Sequence, residues 1–267
     1  MKALQKSLLS IALVALSLSL TSCTTYGRYD NADKYLVGDQ TYSATVKELD
    51  VDWTSGELTL IEDKTTETIT IKEESNEELI DAMKVHSYVD GDVLRIKYWE
   101  SGYTYKGFVA PNKHLYVTFP GFEKLSISLT SGELESNDIE ANKINISMTS
   151  GEMNLGKITC SEFNFSMTSG KAIVDYLDAD IINCSLTSGR IIVKGSRSSN
   201  MSFSITSGTV DLTIPEEGAE ISFKKTSGSY QSERKDYLID PNNNKYLYGE
   251  GTCQIKIKIT SGKAIIR

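Results

Sequence analysis

One tripeptide governs what this chain can become. Thr-Ser-Gly occurs eight times, with its glycine at Gly56, Gly132, Gly151, Gly170, Gly189, Gly208, Gly228 and Gly262. The successive gaps are 76, 19, 19, 19, 19, 20 and 34 residues, and 76 is itself four times 19. A fixed internal period of this size marks a solenoid, in which each repeat packs only on its neighbours.

Alignment on the glycine gives the content of one coil. Before the corner, one apolar column holds Leu49, Leu125, Ile144, Phe163, Ile182, Met201, Ile221 and Ile255. Two residues on come Val51, Ile127, Ile146, Phe165, Cys184, Phe203, Phe223 and Ile257. A third column runs Trp53, Leu129, Met148, Met167, Leu186, Ile205, Lys225 and Ile259. After the corner a second strand opens with Leu58, Leu134, Met153, Ala172, Ile191, Val210, Tyr230 and Ala264. Apolar residues at every second position mean strands with one buried face, not helices. The expected fold is therefore an all-β, single-stranded β-solenoid with coils of about 19 residues and strands stacked about 4.8 Å apart. The glycine is expected at a sharp turn with positive φ, which only glycine adopts without steric cost. Its preceding serine is small enough for the bend.

Two stretches break the period. Residues 61–124 hold strand-like Thr68-Ile69-Thr70-Ile71, a polar stretch from Glu73 to Asp90, then Val93 to Tyr98 and Leu115 to Phe119. Because this gap equals four periods, it reads as irregular coils with an excursion at about 73–114. A second excursion spans about 229–254, with Pro241-Asn242-Asn243-Asn244 as a turn. Cys184 falls in an apolar column and Cys160 aligns with the small residues Ala141, Ala179 and Ser198, so both read as buried thiols. Cys253 has no clear place in the alignment.

The repeated Ser-Gly corners, Tyr248-Gly249-Glu250-Gly251 and the closing Ile259-Thr260-Ser261-Gly262 resemble the bacterial family of β-solenoid domains provisionally named adhesins. The resemblance runs from about Val46 to Arg267. It implies a right-handed β-helix, with relatives among cell-envelope stress proteins, and carries no catalytic residues.

The start of the chain reads as an address. Lys2 and Lys6 precede an apolar run from Leu8 to Leu20, broken only by Ser. As a helix it would span about 20 Å against a hydrocarbon core of roughly 30 Å, which fits a signal peptide and not an anchor. Leu20-Thr21-Ser22-Cys23 resembles a bacterial lipobox, which implies cleavage before Cys23 and a diacylglyceryl group on its thiol. Two acyl chains anchor stably. The expected organisation is signal peptide at 1–22, lipidated Cys23 and polar tether at 23–45, and solenoid at 46–267, held outside the cytoplasm on the cell or outer membrane. Loss of residues 1–22 removes two Lys and no acid, so a net charge of −8 becomes −10. Such an acidic chain is unsuited to nucleic acid.

Three surfaces invite a partner. The outward columns before the corner hold Asn145, Asn164 and Asn183, then Ser128, Ser147, Ser166, Ser185 and Ser204, then an unbroken threonine ladder from Thr54 to Thr260. They make a polar, almost uncharged face, suited to a glycan, another sheet or even ice, or simply to bonding along the stack. After the corner Glu133, Glu152, Lys171 and Arg190 point out, and Glu152 can pair with Lys171 across coils. Tyr98, Trp99, Tyr103, Tyr105 and Phe108 crowd the first excursion, with Gly102 and Gly107 between them. They are the expected binding patch if exposed, and a cover for the solenoid if buried.

Catalysis lacks its usual ingredients. The faces carry Ser, Asn and Thr and no paired carboxylates, and His86 and His114 stand apart from any nucleophile. Neither zinc spacing nor a phosphate loop occurs, so no metal and no cofactor are expected. The sequence thus points to a lipid-anchored binding or adhesion module for a glycan, surface protein or envelope polymer. The alternative is an envelope scaffold or stress-responsive protein that meets envelope components or cationic peptides.

Overall fold

The computed structural model describes residues 24–107, 110–240 and 243–267. The expected signal peptide and Cys23 lie outside the described residues, as do Phe108, Pro241 and Asn242. The chain is a β-solenoid. Its regular part stacks the strands Lys124–Leu129, Lys143–Met148, Glu152–Met167, Lys171–Val193 and Asn200–Leu212 in parallel. The register is the one the glycine alignment predicts, with Leu125 opposite Ile144, Ile144 opposite Phe163, Phe163 opposite Ile182 and Ile182 opposite Met201. All five side chains are buried in one continuous core. Cys184 is buried and Cys160 partly so. Cys253 turns out to open the strand Cys253–Ile266 and is also buried, and all three thiols are free. Burial pushes each thiol up to about 12, so none is a thiolate near neutral pH.

The corners are stacked more tightly than a turn requires. A Cβ on Gly132 would stand 1.9 Å from the carbonyl oxygen of Gly56, and one on Gly151 1.9 Å from that of Gly132. The same contact continues through Gly170, Gly189 and Gly208 at 2.1–2.5 Å. Positive φ, expected at every corner, is found at Gly56, Gly132, Gly151, Gly170 and Gly189 and not at Gly208, Gly228 or Gly262. The shared requirement is therefore space for the next backbone, with φ a second constraint in the first five coils.

The two ends depart from the sequence order. The 76-residue gap does not hold four coils. Lys124–Leu129 pairs directly with Glu48–Trp53, so Gly132 lies on Gly56 with nothing between. The intervening chain folds back under the first coil. Val93–Lys97 pairs in parallel with Glu48–Trp53 on its other side, and Lys113–Phe119 does the same with Glu57–Glu62. Antiparallel strands then close this end: His86–Asp90 on Val93–Lys97, and Thr68–Ser75 on Lys113–Phe119. Within the polar stretch from Glu73 to Asp90, only Asp81–Met83 is helical, as one 3-10 turn.

Residues 24–45, expected as a tether, are built into the same end. Thr24–Thr25 pairs with Thr104–Tyr105, Leu36–Val37 with His86–Asp90, and Gln40–Ser43 with Thr68–Ser75. Tyr26 and Tyr35 are buried, and the Tyr26 hydroxyl donates to Asp52 at 3.2 Å. The physical reason is that a solenoid end exposes core and unpaired strand edge, and tyrosine-bearing chain covers both.

The other end shows the same device. Cys253–Ile266 stacks on Asn200–Leu212, and Gly218–Lys225 and Ser229–Ser232 stack outside it. The coil of Gly262 thus lies inside that of Gly228, against sequence order. A hairpin of Tyr237–Asp240 and Lys245–Gly249 finishes the sheet antiparallel.

Candidate functional site

The polar face of the first strands is a groove. In each coil the inward residues hold the core, which forces the residues between them outward. Register then lines up Ser126, Asn145, Asn164, Asn183 and Ser202 in one row and Ser128, Ser147, Ser166, Ser185 and Ser204 in the next. These two rows line a groove of about 420 Å³ open to solvent. The threonine ladder, though exposed from Thr130 onward, does not line it.

The asparagines form an amide ladder. Asn183 donates to Asn164 Oδ1 at 3.0 Å, Asn164 donates to Asn145 Oδ1 at 2.9 Å, and Asn145 reaches Ser126 Oγ at 3.5 Å. Asn164 spends its second N–H on Glu162 Oε1 at 2.8 Å. Ser166 donates to Ser147 at 3.2 Å. An amide offers two donors and two lone pairs. Asn145 and Asn183 therefore retain one donor each beyond the ladder bonds, and every ladder oxygen retains a lone pair. Such groups both give and accept hydrogen bonds, as sugar hydroxyls do.

Charge is confined to the rim and the ends. Along the rim Lys124 pairs with Glu48 and Lys143 with Glu162, both at 2.8 Å. At one end Asp50 meets Arg95 at 2.7 Å and Asp52 meets Lys97 at 3.5 Å. The groove floor between the ends carries no charged side chain. Glu152 does lie opposite Lys171, on the strands beyond the corner.

The aromatic patch is a plug and not a surface. Tyr98 and Trp99 are 0% exposed, and Tyr103 and Tyr105 are packed against the core. Tyr98 meets Trp53 edge-on at 4.7 Å, and Trp99 touches Tyr98, Tyr103 and Tyr105 at 4.9–5.6 Å between ring centres. Burial removes Tyr98 and Trp99 from the expected binding patch and leaves Tyr103 and Tyr105 partly exposed at its edge. The coil under Gly56 lacks a Thr-Ser-Gly corner, and aromatic rings fill the space that tight glycine stacking closes elsewhere. The alternation Leu94, Ile96, Tyr98 carried this signal, since it turns Tyr98 inward with the other two.

At the same corner sits Lys113, which sequence reading passed over. It is fully buried, donates to the carbonyls of Met83 at 2.7 Å and Tyr98 at 2.6 Å, and lies 2.6 Å from Glu73. Its ammonium stands 4.1 Å from the Tyr98 ring centre and 4.8 Å from that of Trp53. Burial lowers the Lys113 ammonium to about 8 despite Glu73, and burial raises the Glu73 carboxyl despite Lys113.

His86 is buried against the Lys84 carbonyl at 2.9 Å, and that burial lowers its pKa. His114 stacks on Tyr116 and bonds Thr59 at 2.8 Å. Among the described residues no three His, Cys, Asp or Glu side chains are placed to hold a metal ion, and no helix is long and apolar enough to cross a membrane.

Comparison with known proteins follows this geometry. The Toastrack DUF4097 profile matches residues 46–264. A Bacteroides fragilis protein provisionally named an adhesin is similar in structure, with 14% identity, 87% of this chain and 97% of that chain covered, and a TM-score of 0.56. A Parabacteroides distasonis protein provisionally named for lipid binding shares 14% identity over 86% of this chain and 97% of its own, with a TM-score of 0.47. A Clostridium sporogenes protein provisionally named for cell adhesion shares 16% identity over 86% and 99%, with a TM-score of 0.38. At this identity the likeness to the Bacteroides fragilis protein speaks for the fold alone. No curated protein sequence matches the chain.

Proposed function

We propose that this chain, which belongs to the Toastrack DUF4097 family, is a non-catalytic binding module, held outside the cytoplasm by lipid on Cys23, whose ligand lies in the Asn/Ser groove. The observation that carries this reading is the groove itself: two rows of amide and hydroxyl groups across five coils, with hydrogen-bonding capacity left over. The provisional adhesin name of the Bacteroides fragilis relative agrees with it. Cationic peptides suit the groove poorly, because Asp50 and Asp52 at its end are already met by Arg95 and Lys97.

The test is an array of glycans, matrix proteins, envelope polymers and cationic peptides probed with residues 24–267. Beside it runs an Asn145→Val/Asn164→Val/Asn183→Val variant, chosen because branched residues suit strands. Saturable binding to one ligand class, weakened about tenfold or more in the variant at unchanged melting temperature, is the expected result. Binding that the variant retains in full would move the site off the groove. A well-folded protein that binds nothing would favour a scaffold within the envelope. For the anchor, cells fed labelled palmitate should label the wild-type chain and not Cys23→Ser. Label in both would refute lipidation at Cys23.

A further inference from the structure

The groove lining ends at Ser202 and Ser204, and a cluster of lysines lies in register just beyond them. Register continues the serine rows into the next coil, with Lys256 opposite Ser202 and Lys258 opposite Ser204. One coil further, Lys224 lies opposite Lys258. All three are exposed, and among the described residues none is in an ion pair. The nearest acid in register, Glu220, is held by Lys245 at 2.6 Å.

This placement is costly in the free protein. Like charges directly opposite on neighbouring strands repel, and here two lysines face each other on a chain whose net charge is −8. An anion lying between them relieves the repulsion. We infer that the groove takes a linear acidic polysaccharide, whose ring hydroxyls meet the Asn/Ser rows and whose carboxylates at one end meet Lys224, Lys256 and Lys258. This inference rests on the groove reading above and names the ligand class for it.

Three features select that occupant. Neighbouring coils lie about 4.8 Å apart, so the rows from Ser126 to Lys256 extend roughly 24 Å, which suits an extended chain. An extended peptide would seek a free strand edge for its backbone. The strands on the groove floor are paired on both sides, so only side chains face the ligand. A flat anionic bilayer would use the charge of the lysines but gain little from the uncharged rows leading to them.

The experiment compares an oligogalacturonate long enough to span the groove with its methyl ester, which has the same backbone and no charge. The proteins are residues 24–267 and a Lys256→Gln/Lys258→Gln variant, with phosphatidylglycerol vesicles as a third probe. The acidic oligomer should bind about tenfold more tightly than the ester. That advantage should shrink as salt rises, and the variant should lose it while melting no lower than wild type. Equal binding of acid and ester, or a variant that keeps the advantage, would overturn the inference. If the ester still binds and needs Asn145, Asn164 and Asn183, the groove reading survives that failure. Vesicle capture that needs the lysines, with neither oligomer bound, would also overturn it and give the cluster to a lipid surface.

Discussion

Gly151→Ala should remove cooperative unfolding near the wild-type temperature, whereas Ser147→Val, four residues earlier on the outer face, should shift it by a few degrees at most. The alanine methyl would stand 1.9 Å from the Gly132 carbonyl oxygen and 2.9 Å from its nitrogen. Both are backbone atoms of the neighbouring coil, so no side chain can swing away. The coil must lift off its neighbour, and the hydrogen bonds from Glu152 to Gly132 and from Lys171 to Gly151 lengthen with it. Gly151 also has φ +123, which costs alanine further strain. The combined penalty should exceed about 4 kcal/mol, the range reserved for disrupted cores and strained backbone. Gly91→Ala separates the two contributions. Its φ is +63 with nothing within 4 Å of the added carbon, so only the conformational cost remains, about 1–2 kcal/mol. Urea unfolding of the three variants gives the ranking. A Gly151→Ala protein as stable as Gly91→Ala would show that the corner glycines are not set by coil stacking.

What could be read from the sequence was whatever repeats locally. From Leu125 to Met201 each coil presents the same alternation at the same distance from its glycine, so inward column, register and outward rows follow together. Order along the stack is a different kind of information. Parallel strands are joined through whole coils, so nothing local tells Gly132 that its neighbour is Gly56, or Gly262 that its neighbour is Gly208. The equality of 76 with four periods is arithmetic without structural meaning, because the coil beneath Gly56 carries Lys113 at its corner and no Thr-Ser-Gly. The site divides in the same way. The Asn and Ser rows were plain, while the lysines at their end became part of the same surface only when Cys253–Ile266 proved to be the next coil. Tyr26 and Tyr35 were invisible as cap residues, since covering an end leaves no periodic trace.

Lys113 and Glu73 should behave as a coupled pair whose single variants have opposite pH slopes. Lys113→Met leaves the Glu73 carboxylate, 4% exposed, without its cation, and should cost about 3–5 kcal/mol at neutral pH. Glu73 then keeps its proton to higher pH in the fold than in the unfolded chain. The native state binds more protons above the ordinary 4.5, so this variant gains stability on acidification and loses it as pH rises. Glu73→Gln leaves the Lys113 ammonium in a site that already lowers it from 10.5 to about 8. Here the native state binds fewer protons than the unfolded chain below 10.5, so stability rises with pH as Lys113 sheds its charge in the fold. Lys113→Met/Glu73→Met should be more stable than the sum of the single losses allows, because no unpaired charge remains. It should still fall short of wild type. The Met83 and Tyr98 carbonyls lose the donor they share, at about 1–3 kcal/mol for each buried group left unpaired. The measurement is urea unfolding of the four proteins from mildly acidic to mildly alkaline pH. Parallel pH profiles for the two single variants, or additive losses in the double, would mean that the ammonium and carboxylate do not meet in the buried corner under Gly56.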